Sequence, residues 1–116
     1  MKIKIYHNPR WGKSRSSVGI LENRNLEFQV IEYLKTPLSK SEIKKIIHIL
    51  NVKIKDIIRT TESDFKENNI SSIIDNESKL LDALVKFPKI LQRPIIIVGN
   101  KGVIGRPPEN IYSILD

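Results

Sequence analysis

At 116 residues the chain is long enough for one domain with a single core and little to spare, so residues 1–116 are taken as one unit. Its 40% hydrophobic and 28% charged composition is that of an ordinary globular protein, and no apolar run approaches the roughly 18 residues of a membrane span. The net charge of +7 invites an anionic partner, but the basic residues are spread along the chain; a small anion needs only a few of them to converge, and nothing marks a nucleic-acid stripe. The start of the chain has no apolar signal segment, which predicts a cytoplasmic protein, and no feature asks for more than a monomer. There is no cysteine, which removes disulfides, thiolate nucleophiles and Cys-ligated metals together. His7 and His48 are the only histidines and stand apart from any carboxylate cluster, so no metal site is predicted.

Lys2-Ile3-Lys4-Ile5-Tyr6 alternates polar and apolar residues, the period of a strand with one buried face. Tyr6-His7-Asn8-Pro9-Arg10-Trp11-Gly12-Lys13-Ser14-Arg15 then reads as a strand-to-helix turn punctuated by Pro9 and Gly12. The first turn of a helix carries unpaired N–H groups at the positive end of the macrodipole and is a natural seat for an oxyanion. Lys13 and Arg15 add charge, and Ser14 can cap the helix or donate to an anion. An ordinary capped helix with a solvated basic turn explains the same residues about as well. The helix is expected over 14–24, with Val18, Leu21 and Ile20 toward the core, and the polar residues 23–25 end it. Residues 27–34, with Phe28, Val30, Ile31 and Tyr33, read as a second strand. The three elements make a βαβ unit, whose strands should be parallel.

Residues 35–38 form a loop, and Ser39-Lys40-Ser41-Glu42 matches a capping box ahead of the apolar stripe Ile43, Ile46, Ile47 and Leu50. His48 lies within this helix and is assigned no chemistry. A short helix-like segment over 54–58 ends at Arg59, and residues 60–72 are polar and poorly patterned. Asp75 or Asn76 caps a further helix with Leu80, Leu81, Leu84 and Val85 on one face, stopped by Pro88. Ile95-Ile96-Ile97-Val98 is a continuous β-branched run, predicted to be a strand buried on both faces. Residues 99–102 read as a hairpin turn and 103–105 as the returning strand. Arg106-Pro107-Pro108-Glu109 opens a last helix, in which Ile111, Ile114 and Leu115 pack down.

The order is βαβ, a helical segment, then ββα. That is the order of an α/β thioredoxin-like domain: a four-stranded mixed sheet flanked by helices, with a helical insertion between the βαβ and ββα units. In that fold the residue before the third strand is commonly a cis-proline beside the active loop, and Pro94 is the candidate for it.

The turn at 6–15, Tyr33-Leu34-Lys35-Thr36-Pro37, Ile58-Arg59, Gln92-Arg93-Pro94-Ile95 and Gly105-Arg106-Pro107 together resemble the glutaredoxin-coupled arsenate reductase family over essentially the whole chain. The resemblance implies reduction of arsenate to arsenite. A cysteine thiolate at the turn attacks arsenate, and glutathione with glutaredoxin completes the reduction. That cysteine position is held here by Trp11, whose indole cannot form the adduct. Ser14 is a poor substitute, because a hydroxyl needs a strong base to become a nucleophile and has no redox chemistry.

By the same resemblance Arg59, Arg93 and Arg106 match the three arginines that hold the arsenate oxyanion, a role suited to the planar fork of guanidinium. His7 matches the histidine that lowers the thiol's pKa, and Asn8, Ser14 and Arg15 line the loop. Taken singly, each arginine reads as a surface ion pair or a solvated charge; the matching set favours an anion site. Trp11 reads as a plug at the substrate entrance or as an aromatic face for a partner. Three functions follow: an arsenate reductase by descent, closed to the thiol route; a non-catalytic regulator like the Spx transcription factors of the same fold family, which bind RNA polymerase; or a binder of arsenate, phosphate or sulfate. No cofactor is expected to stay bound.

Overall fold

In a computed structural model, which describes residues 2–115, four strands form one sheet: β1 (Ile3–Tyr6), β2 (Gln29–Ile31), β3 (Ile95–Val98) and β4 (Lys101–Ile104), in the spatial order β2-β1-β3-β4. β1 and β2 run parallel, while β1–β3 and β3–β4 are antiparallel, so the sheet is mixed as expected. The chain divides into two compact units. One comprises the residues up to Thr36 together with those from Arg93 onward, and the other is Pro37–Gln92.

The first unit holds the sheet, helix α1 (Gly12–Asn23), a 3-10 turn at Pro108–Ile111 and the short helix α5, Tyr112–Leu115. Alternation sends Ile3 and Ile5 of β1 to the same face as their register partners Val98 and Ile96. There they pack with Leu21 of α1 and with Ile111, Ile114 and Leu115, and Val18, Ile20, Leu26, Phe28 and Val103 close the rim. All four residues of β3 are buried, which accounts for its unbroken β-branched composition.

Several boundaries differ from those read in the sequence. α1 starts at Gly12 with Trp11 as its N-cap, and the Arg15 N–H donates to the Trp11 carbonyl at 3.1 Å. Ser14 is therefore inside the helix and does not cap it. β2 is confined to Gln29–Ile31, because the Glu32 carbonyl already accepts the N–H groups of Lys35 and Thr36, at 2.9 Å each, in a turn. The hairpin turn is only Gly99-Asn100, since Lys101 pairs with Val98; Gly99 takes φ +63°, a conformation that tight two-residue turns demand and glycine adopts freely. The last helix opens as a 3-10 turn at Pro108.

The second unit contains α2 (Lys40–Leu50), α3 (Ser63–Glu67) and α4 (Glu77–Lys86), with 3-10 turns at Ile54–Ile57, Ile70–Ile73 and Pro88–Ile90. Ser39 and Glu42 form the reciprocal capping box at 3.2 Å in both directions, and Asn76 Oδ1 caps α4 by accepting the Lys79 N–H at 3.0 Å. α4 packs against α2 and the three 3-10 turns, burying Leu80 and Leu84. His48 is exposed. Among the described residues no helix is long and apolar enough to cross a membrane.

Candidate functional site

The register brings the candidate residues of the first unit to one end of the sheet. Tyr6 pairs with Ile31 on one side and Ile95 on the other, and Ile95 pairs with Ile104. One step beyond this row come Glu32, His7, Pro94 and Gly105, with Arg93 and Arg106 next to them in the chain. This is the carboxyl end of the parallel pair β1–β2, where ligands of open α/β sheets bind.

Asn8 organises the turn that follows β1. Its side chain is buried, its N–H donates to Ser14 Oγ at 3.1 Å, its Oδ1 accepts the Arg10 N–H at 3.1 Å, and its carbonyl accepts the Trp11 N–H at 3.1 Å. These bonds hold the loop against the start of α1. Trp11 supplies no side-chain cap, so the N–H groups of the first turn, from Gly12 to Ser14, have no carbonyl inside the helix and no capping oxygen from Trp11. Arg15 Nη1 donates to the Pro9 carbonyl at 2.8 Å across the exposed side of the turn.

Arg93 stands immediately before β3, joined to Pro94 by a cis peptide bond. Its side chain is only 1% exposed, and its guanidinium carbon lies 3.9 Å from the centroid of the Trp11 indole. This is a close cation–π contact. Trp11 is 43% exposed, so the stack pairs a buried guanidinium with a partly solvent-facing residue. Arg106 follows β4 and is exposed; its peptide bond to Pro107 is also cis, and its carbonyl accepts Asn110 Nδ2 at 3.2 Å. Gly105 sits between the strands, its N–H donating to the Pro94 carbonyl at 2.8 Å. Arg59 belongs to the second unit. There its N–H donates to the Ile90 carbonyl at 2.6 Å, and its Nε lies 3.8 Å from Glu62 Oε2.

His7 is 8% exposed, and its Nδ1 has no hydrogen-bond partner among the described residues. Burial pushes its imidazole below the ordinary value of 6.5; the Glu32 carboxylate pulls it partly back, and the Arg15 guanidinium lowers it further. His7 is therefore neutral at pH 7. Two features of this end of the sheet have no local signal in the sequence. Glu32 becomes a neighbour of His7 only through the parallel register, and Ser17, which donates to the Lys13 carbonyl at 3.1 Å, lies beside Gly105 only in the folded unit.

The depressed His7 pKa carries a consequence for stability. The unfolded chain binds a proton at about pH 6.5, before the folded one does, so protonation favours unfolding. Stability should be level above pH 6.5 and fall as the pH drops from there toward the lowered native value. Urea unfolding of the natural chain and His7→Gln at pH 7.5 and 5.5 isolates this share: the natural chain should lose more on acidification. Equal losses would show that His7 titrates alike in both states.

A family model described as the ArsC family matches residues 6–114, from the last residue of β1 to the closing helix. An arsenate reductase of Neisseria meningitidis is 38% identical over 116 residues, covering 98% of this chain and 98% of its own. The Escherichia coli protein YfgD, which is uncharacterized, is 36% identical over 115 residues, covering 98% of this chain and 97% of its own. The solved structure of an arsenate reductase from Vibrio cholerae superposes with a TM-score of 0.94 at 35% identity, covering 99% of this chain and 98% of that one. The likeness thus includes the mixed sheet, the helical insertion and the turn that carries Trp11, and this chain belongs to the ArsC family.

Proposed function

We propose that the protein is an oxyanion-binding member of its family that does not reduce arsenate through a thiol. The observation that carries this reading is Trp11 at the N-cap of α1, where the resemblance puts the nucleophilic cysteine, in a chain that has no cysteine at all. Without a thiol there is no group to attack arsenic and nothing for glutathione or glutaredoxin to resolve.

The means of holding an anion remain. The uncapped first turn of α1 offers N–H donors and the positive end of the macrodipole. Arg15 lies in the first turn of α1, and Arg93 and Arg106 adjoin Pro94 and Gly105 at the same end of the sheet, which supports an anion seat there; Arg59 is included on the resemblance alone. The ligand class is a tetrahedral oxyanion, namely arsenate, phosphate or sulfate. Arsenate is suggested by the names of the relatives, and the neutral His7 adds no charge of its own.

A coupled assay with arsenate, glutathione and glutaredoxin should give turnover no greater than the no-protein control. Sustained turnover above that control would overturn the non-reducing part of the reading. Melting in arsenate against chloride at equal ionic strength tests the other part. Saturable binding to the folded state raises stability by about 2.7 kcal/mol at one hundred times Kd, whereas a shift equal to that in chloride would count against an anion site.

A further inference from the structure

Resting on the oxyanion reading above, we infer that Trp11 is the gate of that site: its indole occupies the guanidinium of Arg93 until a tetrahedral oxyanion takes its place. Arg93 is 1% exposed, and its Nε and Nη2 are both buried. An anion the size of phosphate cannot reach those groups unless a neighbour moves. Pro94 and Ile95 cannot yield, because they are buried at the start of β3, between β1 and β4. Trp11 can. It is 43% exposed and precedes the first helical residue, so its ring can turn outward into solvent without displacing a strand.

The exchange is chemically balanced. Swinging the indole away gives up a cation–π contact and part of its burial. An entering oxyanion supplies charge-assisted hydrogen bonds to the same guanidinium and meets the unpaired N–H groups of the first turn of α1. His7 Nδ1, buried at the same end of the sheet with no hydrogen-bond partner among the described residues, marks that end as incompletely satisfied while the gate is shut. Gating weakens apparent affinity in proportion to the fraction of molecules that are open. A cation–π contact of this kind corresponds to a penalty of about 2-fold to 30-fold in Kd.

The protein carries its own reporter, since Trp11 is its only tryptophan and emission excited at the red edge, where the three tyrosines do not absorb, reads the gate. Sodium phosphate and sodium arsenate are titrated at constant ionic strength against sodium chloride, following emission and melting temperature in the natural chain, and melting temperature in Trp11→Ala and Trp11→Phe. The expected result is a saturable change in Trp11 emission that chloride does not reproduce. Phosphate affinity should be about 2-fold to 30-fold tighter in Trp11→Ala, with Trp11→Phe in between. An affinity unchanged by both substitutions refutes the gate and leaves the oxyanion reading standing. So does a melting shift in the natural chain with silent emission, which needs no variant. Absence of any specific shift in all three proteins refutes the oxyanion reading and the gate with it.

Discussion

Trp11→Cys should convert a protein without measurable arsenate reduction into one whose turnover with glutathione and glutaredoxin exceeds the no-protein control by at least about 100-fold, since losing a covalent nucleophile alone costs up to about 10⁶-fold in kcat. The local backbone suits the change. Trp11 is in an extended conformation, φ −110° and ψ 132°, which cysteine adopts without strain. The bonds that shape the turn, from the Trp11 N–H to the Asn8 carbonyl and from the Arg15 N–H to the Trp11 carbonyl, are backbone bonds and survive the substitution. A thiol placed there stands at the N-terminus of a twelve-residue helix. It also gains Arg15 and the uncovered Arg93 as neighbours, the electropositive setting that favours a reactive thiolate. The indole's contact with Arg93 is lost, at about 0.5–2 kcal/mol, so the variant should melt somewhat lower. Turnover in Trp11→Cys but not in the natural chain would identify Trp11 as the single lesion. A folded Trp11→Cys that stays at background would mean that the arginines no longer converge on a reactive geometry.

What could be read in advance depended on the range of the interaction responsible. The Ser39–Glu42 box and the Asn76 cap are each settled within three residues, and both formed where their spacing indicated. The Ile95–Val98 run is legible because a short run of β-branched residues between turn residues fits a strand covered on both faces, and all four are buried. The errors lie where tertiary context outweighs local pattern. Ser14 looks like a better N-cap than Trp11 by residue type, yet Asn8 claims its oxygen and the helix begins two residues earlier. Phe28 and Tyr33 extend the apolar pattern of β2 well beyond its paired residues; Phe28 is partly buried at the rim of the core and Tyr33 is fully buried, but neither lies in the ladder. In the site, the residues of the turn could be named from the resemblance. The stack of Trp11 on Arg93 could not, because it joins two segments that meet only through the β1–β3 register. The ion pair of Arg59 with Glu62 was within reach as an i,i+3 spacing but carries no sign of which partner the arginine prefers.

The same end of the sheet fixes the largest stability effect expected of a small substitution. A methyl group added at Gly105 would lie 2.8 Å from Pro94 Cγ, 2.8 Å from Ser17 Oγ and 2.9 Å from Ile96 Cδ1. The proline ring is rigid and buried, and Ile96 is fully buried in the core cluster, so neither yields cheaply. Only Ser17 can turn, and doing so breaks its bond to the Lys13 carbonyl. Gly105→Ala should therefore destabilise by about 1–3 kcal/mol and lower Tm by roughly 5–15 °C. Gly19, in the middle of α1, is the internal control: a methyl group there meets nothing within 4 Å. Gly19→Ala should raise stability by about 0.5–1 kcal/mol, because alanine loses less backbone entropy in a helix. Opposite signs for two chemically identical substitutions would establish that the strain at Gly105 is steric contact across the sheet end. Two variants with the same Tm as the natural chain would show that the gap between Pro94, Ser17 and Ile96 is wider than these distances allow.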